Sequence, residues 1–201
     1  MKAKQIPGVP MQKSGGFHDT ESTKPFKDIE IDAQFEILRN RFFSINEWKD
    51  YCGKASAEFK HFSESGQPVN RIPQRGDFIR IGIPGPGTEE AGGYDWVEII
   101  NIAHREIDNY ESYLISCRPS KDPNQPKGRI AHFYSRSATS NIMIAKEGNI
   151  LKAGIYGRNE KPNFNAGFLD KVRNFMIALG GMMGIAKIQW KLLAKGLLDL
   201  K

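Results

Sequence analysis

The sequence predicts an α+β fold: a curved antiparallel sheet or partial barrel with a short N-terminal helix and a long C-terminal helix. Three observations carry this. Seven β-branched or aromatic segments, separated by turn-forming residues, fill the middle of the 201-residue chain. A helix start signal precedes them, and the last 37 positions, 165–201, carry a helical period. Strands joined by hairpins and closed by one helix bury their apolar face by curling around that helix or lying on it.

Residues 1–28 are rich in Gly, Pro, Lys, Ser and Thr and lack apolar periodicity. That composition offers little to offset the entropy of ordering a backbone, so a flexible tail is expected. The body, 29–164, opens with Phe35, Ile37, Leu38, Phe42 and Phe43, whose spacing does not decide between strand and helix. Ser44 and Glu47 have the spacing of a capping box and predict a short helix over 45–53. Strands are expected at 57–63, 77–83, 95–102, 110–117, 130–134, 139–145 and 149–156. The strongest hairpin is the last, where Ile142 and Ile144 alternate with other residues, Lys146 to Asn149 turn, and Leu151, Ala153 and Ile155 resume the alternation.

In the C-terminal helix, Phe168, Val172, Phe175, Leu179, Met182, Ala186, Trp190, Leu193 and Leu197 form a core-facing stripe. Opposite it, Ile177, Gly181, Gly184, Ile188 and Leu192 form a second apolar face, the expected interaction surface for a protein partner or another copy. Such a helix spans roughly 50 Å at 1.5 Å per residue, more than a small domain's diameter of about 30 Å. It must therefore project or break, and Gly180 and Gly181 mark a kink point.

The formal net charge is +6, of which residues 168–201 hold +4. Elsewhere basic residues alternate with acidic ones, unlike the basic, aromatic-studded patch of a nucleic-acid binder. Cys52 and Cys117 sit in no CxxC or His-paired spacing, so they predict reduced thiols, no metal and a cytoplasmic protein. Pro7, Gly8 and Pro10 interrupt any signal-peptide apolar run, and no stretch reaches the roughly 20 apolar residues of a span. Lys187, Lys191 and Lys195 beside Trp190 leave a membrane-surface helix as a minor alternative.

No motif for a phosphate loop, nucleophile elbow, zinc protease or kinase is present. The loop at 84–93 lacks a Walker ending and carries Glu89 and Glu90; the Pro-rich loop at 119–127 reads as a crossover. No cofactor is implied. His18 falls in the tail, whereas His61 and His132 fall in expected strands, where either could meet Asp95 or Glu98 as an acid–base pair. Arg158 to Lys161, before Pro162 and the candidate N-cap Asn165, read as a strand-to-helix connector, with ligand binding by Arg158 or Glu160 as the alternative.

The run His132-Phe133-Tyr134-Ser135, Ala138-Thr139-Ser140, Gly148-Asn149 and Tyr156 to Asn163 resembles a block of uncharacterised bacterial proteins of the Bacteroidota kind, which implies a source and no activity. The order short helix, strands, long helix also resembles the helix-grip (START-like) fold. That resemblance implies an apolar cavity between sheet and helix, here lined by Phe175, Met176, Leu179 and Met183 and reached by His61 or His132. Two functions follow: a non-enzymatic interaction module docking through the C-terminal helix, or a binder, or enzyme, for a small apolar molecule.

Overall fold

The computed structural model describes residues 2–53, 56–82, 93–125, 127–163 and 187–200. In chain order it contains β1 (Gly16–Pro25), α1 (Ile31–Phe43), a 3-10 turn (Ile45–Glu47), α2 (Trp48–Cys52), β2 (Glu58–Phe62), β3 (Phe78–Gly82), β4 (Asp95–Ile107), β5 (Tyr110–Pro119), β6 (Thr139–Glu147) and β7 (Ile150–Glu160). Residues 187–197 form a last helix, α3. The strands make one antiparallel sheet in the order β1-β7-β6-β5-β4-β3-β2. The α+β class with a mostly antiparallel sheet is thus observed, and the sheet is open, with β1 and β2 at its edges.

The β6–β7 hairpin forms where alternation predicts it. Glu147 pairs with Ile150, and Gly148 takes φ 56°, a turn conformation in which a side chain would be strained. Ile142, Ile144, Leu151, Ala153 and Ile155 point to the main core, while Met143, Ala145 and Tyr156 point to the opposite face. One sheet therefore has two buried faces. The inner face packs on α1 through Phe35, Leu38 and Phe42 and on α3 through Leu193, Ala194 and Leu197.

The sheet is strongly curved, and one side chain shows it. Laid flat, β1 and β2 would be separated by six strand spacings, ~29 Å. Yet the Trp190 ring centre lies 6.4 Å from that of His18 on β1 and 6.4 Å from that of Phe59 on β2. The sheet therefore wraps α3, with both edges reaching the same indole.

The expected flexible tail is not seen. Residues 16–25 form edge strand β1 against β7, and residues 2–15 cross the outer face. Ile6 and Val9 cover Leu114, Met143, Ala145 and Tyr156. The Arg158 guanidinium, 1% exposed, donates to the Lys4 carbonyl and pairs with Asp19 at 2.7 Å. The composition reading failed because order here comes from sheet hydrogen bonds and polar anchors rather than from an apolar period.

The capping box also fails. The Ser44 hydroxyl donates backwards to the Asn40 carbonyl, 2.9 Å, and Glu47 accepts from the Tyr51 hydroxyl, 2.5 Å. Ser44 ends α1, and the Trp48 indole N–H closes that helix by donating to the Arg41 and Phe42 carbonyls. A short helix still forms over Trp48–Cys52, inside the expected range. No strand forms at 130–134; that segment makes one bridge, Tyr134 to Pro162. Its backbone serves the loops instead, with the Ala131 carbonyl accepting from Trp96 and the Phe133 carbonyl from Asn163. No helix among the described residues is long and apolar enough to cross a membrane.

Candidate functional site

The site is built where the two most distant strands in sequence become neighbours. In the β1–β7 ladder His18 faces Gly157 and Gly16 faces Glu160, with a register shift between them. Asn159 supplies the irregularity: it adopts φ 55° and is held there by the Gln12 side chain and the Lys13 and Ser14 amides. The bulge returns Glu160 to the inner side, so that its Oε1 lies 2.7 Å from His18 Nδ1. Gly157 is required beneath them. A Cβ there would overlap both Glu160 Oε1 and His18 Nδ1.

Both side chains are buried, at 7% and 3% exposure. A carboxylate only accepts, so His18 Nδ1 carries the proton it donates to Glu160; in a neutral ring the lone pair then lies at Nε2. That Nε2 is buried and has no hydrogen-bond partner. The imidazole lies parallel to the Trp190 indole, at 7° between planes. Tyr134 approaches from the 130–135 segment; burial raises its phenol well above the ordinary value, and the Glu160 carboxylate beside it adds to the rise.

The same inner row continues through Ser140 on β6 and Cys117 on β5 to Ile99 on β4. Cys117 is fully enclosed, and burial pushes its thiol up to about 12, so it stays protonated and unreactive. Asp95 lies on β4 beside Ile81. It is 6% exposed, and burial raises its pKa to about 7.

The histidines expected from sequence sit elsewhere in the hydrogen-bond scheme. His61 meets neither Asp95 nor Glu98: its Nε2 bonds Asp77 Oδ2 at 2.8 Å, and Asp77 also takes two bonds from Arg71 and one from the Gln74 amide. Burial alone would raise the Asp77 pKa, but the Arg71, Gln74 and His61 hydrogen bonds outweigh it and hold it below the ordinary value. His132 accepts the Tyr134 amide at Nδ1, and burial lowers its pKa to about 3, so it is a neutral structural ring. Glu98 pairs with Arg118 at 2.8 Å.

Phe175, Met176, Leu179 and Met183, with Ile177, Gly181 and Gly184, lie outside the described residues. Of the outer helix stripe, Ile188 is 58% exposed and Leu192 is half-buried. Of the core stripe, Trp190, Leu193 and Leu197 are buried as expected. An open surface groove runs between β1, α2 and α3, lined by Thr23, Lys24, Tyr51, Cys52, Leu192 and Gly196. Its Cys52 thiol is raised to about 11 by burial. An exposed trio, His104, Glu106 and Glu111, stands at ligand spacing on the β4–β5 hairpin, but Glu111 is already engaged by His104 and Tyr113.

Sequence reasoning set His18 aside with the tail and read Glu160 as part of a connector, with ligand binding as the alternative. The fold and this inner face define an α+β protein with an antiparallel, helix-wrapping sheet. No protein-family model matches the chain, and no curated protein matches it. Among solved structures, an uncharacterised protein from Bacillus thuringiensis aligns over 92% of this chain and 100% of its own, at 14% identity and TM-score 0.38. The protein TTHA0849 from Thermus thermophilus aligns over 92% and 95%, at 13% identity and TM-score 0.37.

Proposed function

We propose that the protein binds a small, largely apolar molecule against the concave face of its sheet, with His18 and Glu160 at the polar end of the bound molecule. One observation carries this reading: His18 Nε2, buried on that face, has no hydrogen-bond partner. Leaving a buried polar atom unpaired costs about 1–3 kcal/mol, and native proteins normally satisfy it with protein, water or ligand. The surroundings of this atom are apolar, with Trp190 stacked on the ring and Phe59, Ile81 and Val97 in the same core. Such a setting, mostly apolar with a few convergent polar atoms, is the usual composition of a small-molecule site.

The test is native mass spectrometry of freshly purified protein, with displacement of an apolar fluorescent dye as the second arm. A small-molecule adduct lost on denaturation, or saturable dye binding competed by apolar compounds, is expected. A clean mass together with no dye binding would sink the reading.

A second reading has its own observation. Ile188 is 58% exposed on α3, one turn from half-buried Leu192, which supports docking of a protein partner or a second copy along this helix. Light scattering decides the self-association version: a multimer that Ile188→Asp converts to monomer supports it, and a monomeric wild type removes it.

A further inference from the structure

We infer that the His18–Glu160 pair is a subsite for a neutral hydroxyl group, so that the molecule bound on the concave face is an apolar alcohol rather than an apolar acid or amine. This rests on the binding reading above and adds the chemistry of the head group.

Donors and acceptors at the pair decide between head groups. Glu160 spends Oε1 on His18 Nδ1 at 2.7 Å, which places a proton on Nδ1; taken as neutral, the ring then has Nε2 as its acceptor. The atom offered to a ligand is therefore one lone pair on a neutral ring, buried and unpartnered. Trp190 covers one side of the ring, and the Glu160 charge lies behind it.

A hydroxyl brings one donor and fills that vacancy. A carboxylate brings none, and it would place a second negative charge near Glu160 in a buried setting. An ammonium brings three donors to one acceptor, leaving two unsatisfied. The Gly157 backbone keeps the geometry in place, because any side chain at that position would occupy the atoms of the pair.

The experiment compares dodecan-1-ol, dodecanoate and dodecylamine by competition against the apolar dye, on wild type and His18→Phe, at neutral pH. In parallel, the 15N resonances of the His18 ring are followed in the wild type. The alcohol is expected to bind wild type roughly 2- to 10-fold tighter than His18→Phe, the worth of one hydrogen bond. It should also bind tighter than the acid or the amine, and it should move the Nε2 resonance from that of a bare lone pair. Equal affinity of all three probes, or an Nε2 that carries a proton in the free protein, would overturn the hydroxyl subsite while leaving the binding reading intact. Failure of every probe and of the dye to bind wild type would remove both. Should His18→Phe fold poorly, the wild-type 15N measurement alone decides.

Discussion

Among the described residues two histidine–carboxylate pairs are buried, and they differ in what is left over. His61 bonds Asp77 at 2.8 Å and His18 bonds Glu160 at 2.7 Å, all four side chains being buried. Around Asp77 the carboxylate also collects Arg71 and the Gln74 amide, and no buried polar atom of His61 or Asp77 lacks a partner. Around His18 one ring nitrogen stays bare. A buried histidine–carboxylate pair is thus not by itself a sign of function; what separates the two pairs is the unused valence at His18 Nε2. The first pair ties the 71–77 loop to β2, and the second presents an acceptor to the interior.

Asp77→Asn should have the largest effect, since it breaks a buried network at its hub. A loss of roughly 3 kcal/mol is expected in urea unfolding, less than for a wholly enclosed pair because Arg71 is partly exposed. A loss as small as a surface mutation's would collapse the distinction between the pairs.

Asp95 gives the pH test of a desolvated carboxyl. Its folded-state pKa of about 7 lies above the ordinary 3.8, so between those values the folded protein holds a proton that the unfolded chain has released. Its contribution is fully present below about pH 4 and is lost as pH rises through about 7, at no more than about 1.4 kcal/mol per pH unit. Asp95→Asn should flatten that dependence in thermal melts; an unchanged profile would mean the carboxyl is partnered or hydrated.

Next in size is Gly157→Ala, which drives a methyl into His18 and Glu160 and should cost about 1–3 kcal/mol, with altered fluorescence of Trp190. Native-like stability and emission would show that the pair is not packed as described. Smallest is Glu160→Gln. It removes the charge but keeps an acceptor for His18 Nδ1, so about 1 kcal/mol is expected. A loss matching Asp77→Asn would make the two pairs equivalent.

Much of the body was legible because its signals are local. The alternation of Ile142, Ile144, Leu151, Ala153 and Ile155 is decided by neighbours, and those residues face one core. Helix α1 was harder: Ile31, Phe35, Leu38 and Phe42 keep helical spacing, but exposed Ile29 and Ile37 blur it. The histidine–carboxylate site was not legible. His18 and Glu160 are 142 residues apart, β1 carries almost no apolar alternation, and pairing across a sheet edge leaves no periodic mark. His61 and His132 stood out only by lying in apolar segments, which suits structural rings.

The β1–β7 pairing has a consequence in time. β1 is the first strand of the sheet in sequence, and its sole neighbour, β7, is the last. As the chain is synthesised, β1 must wait for more than a hundred following residues before its partner exists, and the loop then closed is among the longest the chain can make. Contacts of this range slow folding and prolong exposure of unpaired edges. The His18–Glu160 contact spans 142 residues and the His61–Asp77 contact 16, so the longer closure carries the larger entropy cost and the His61 clamp is expected to form first.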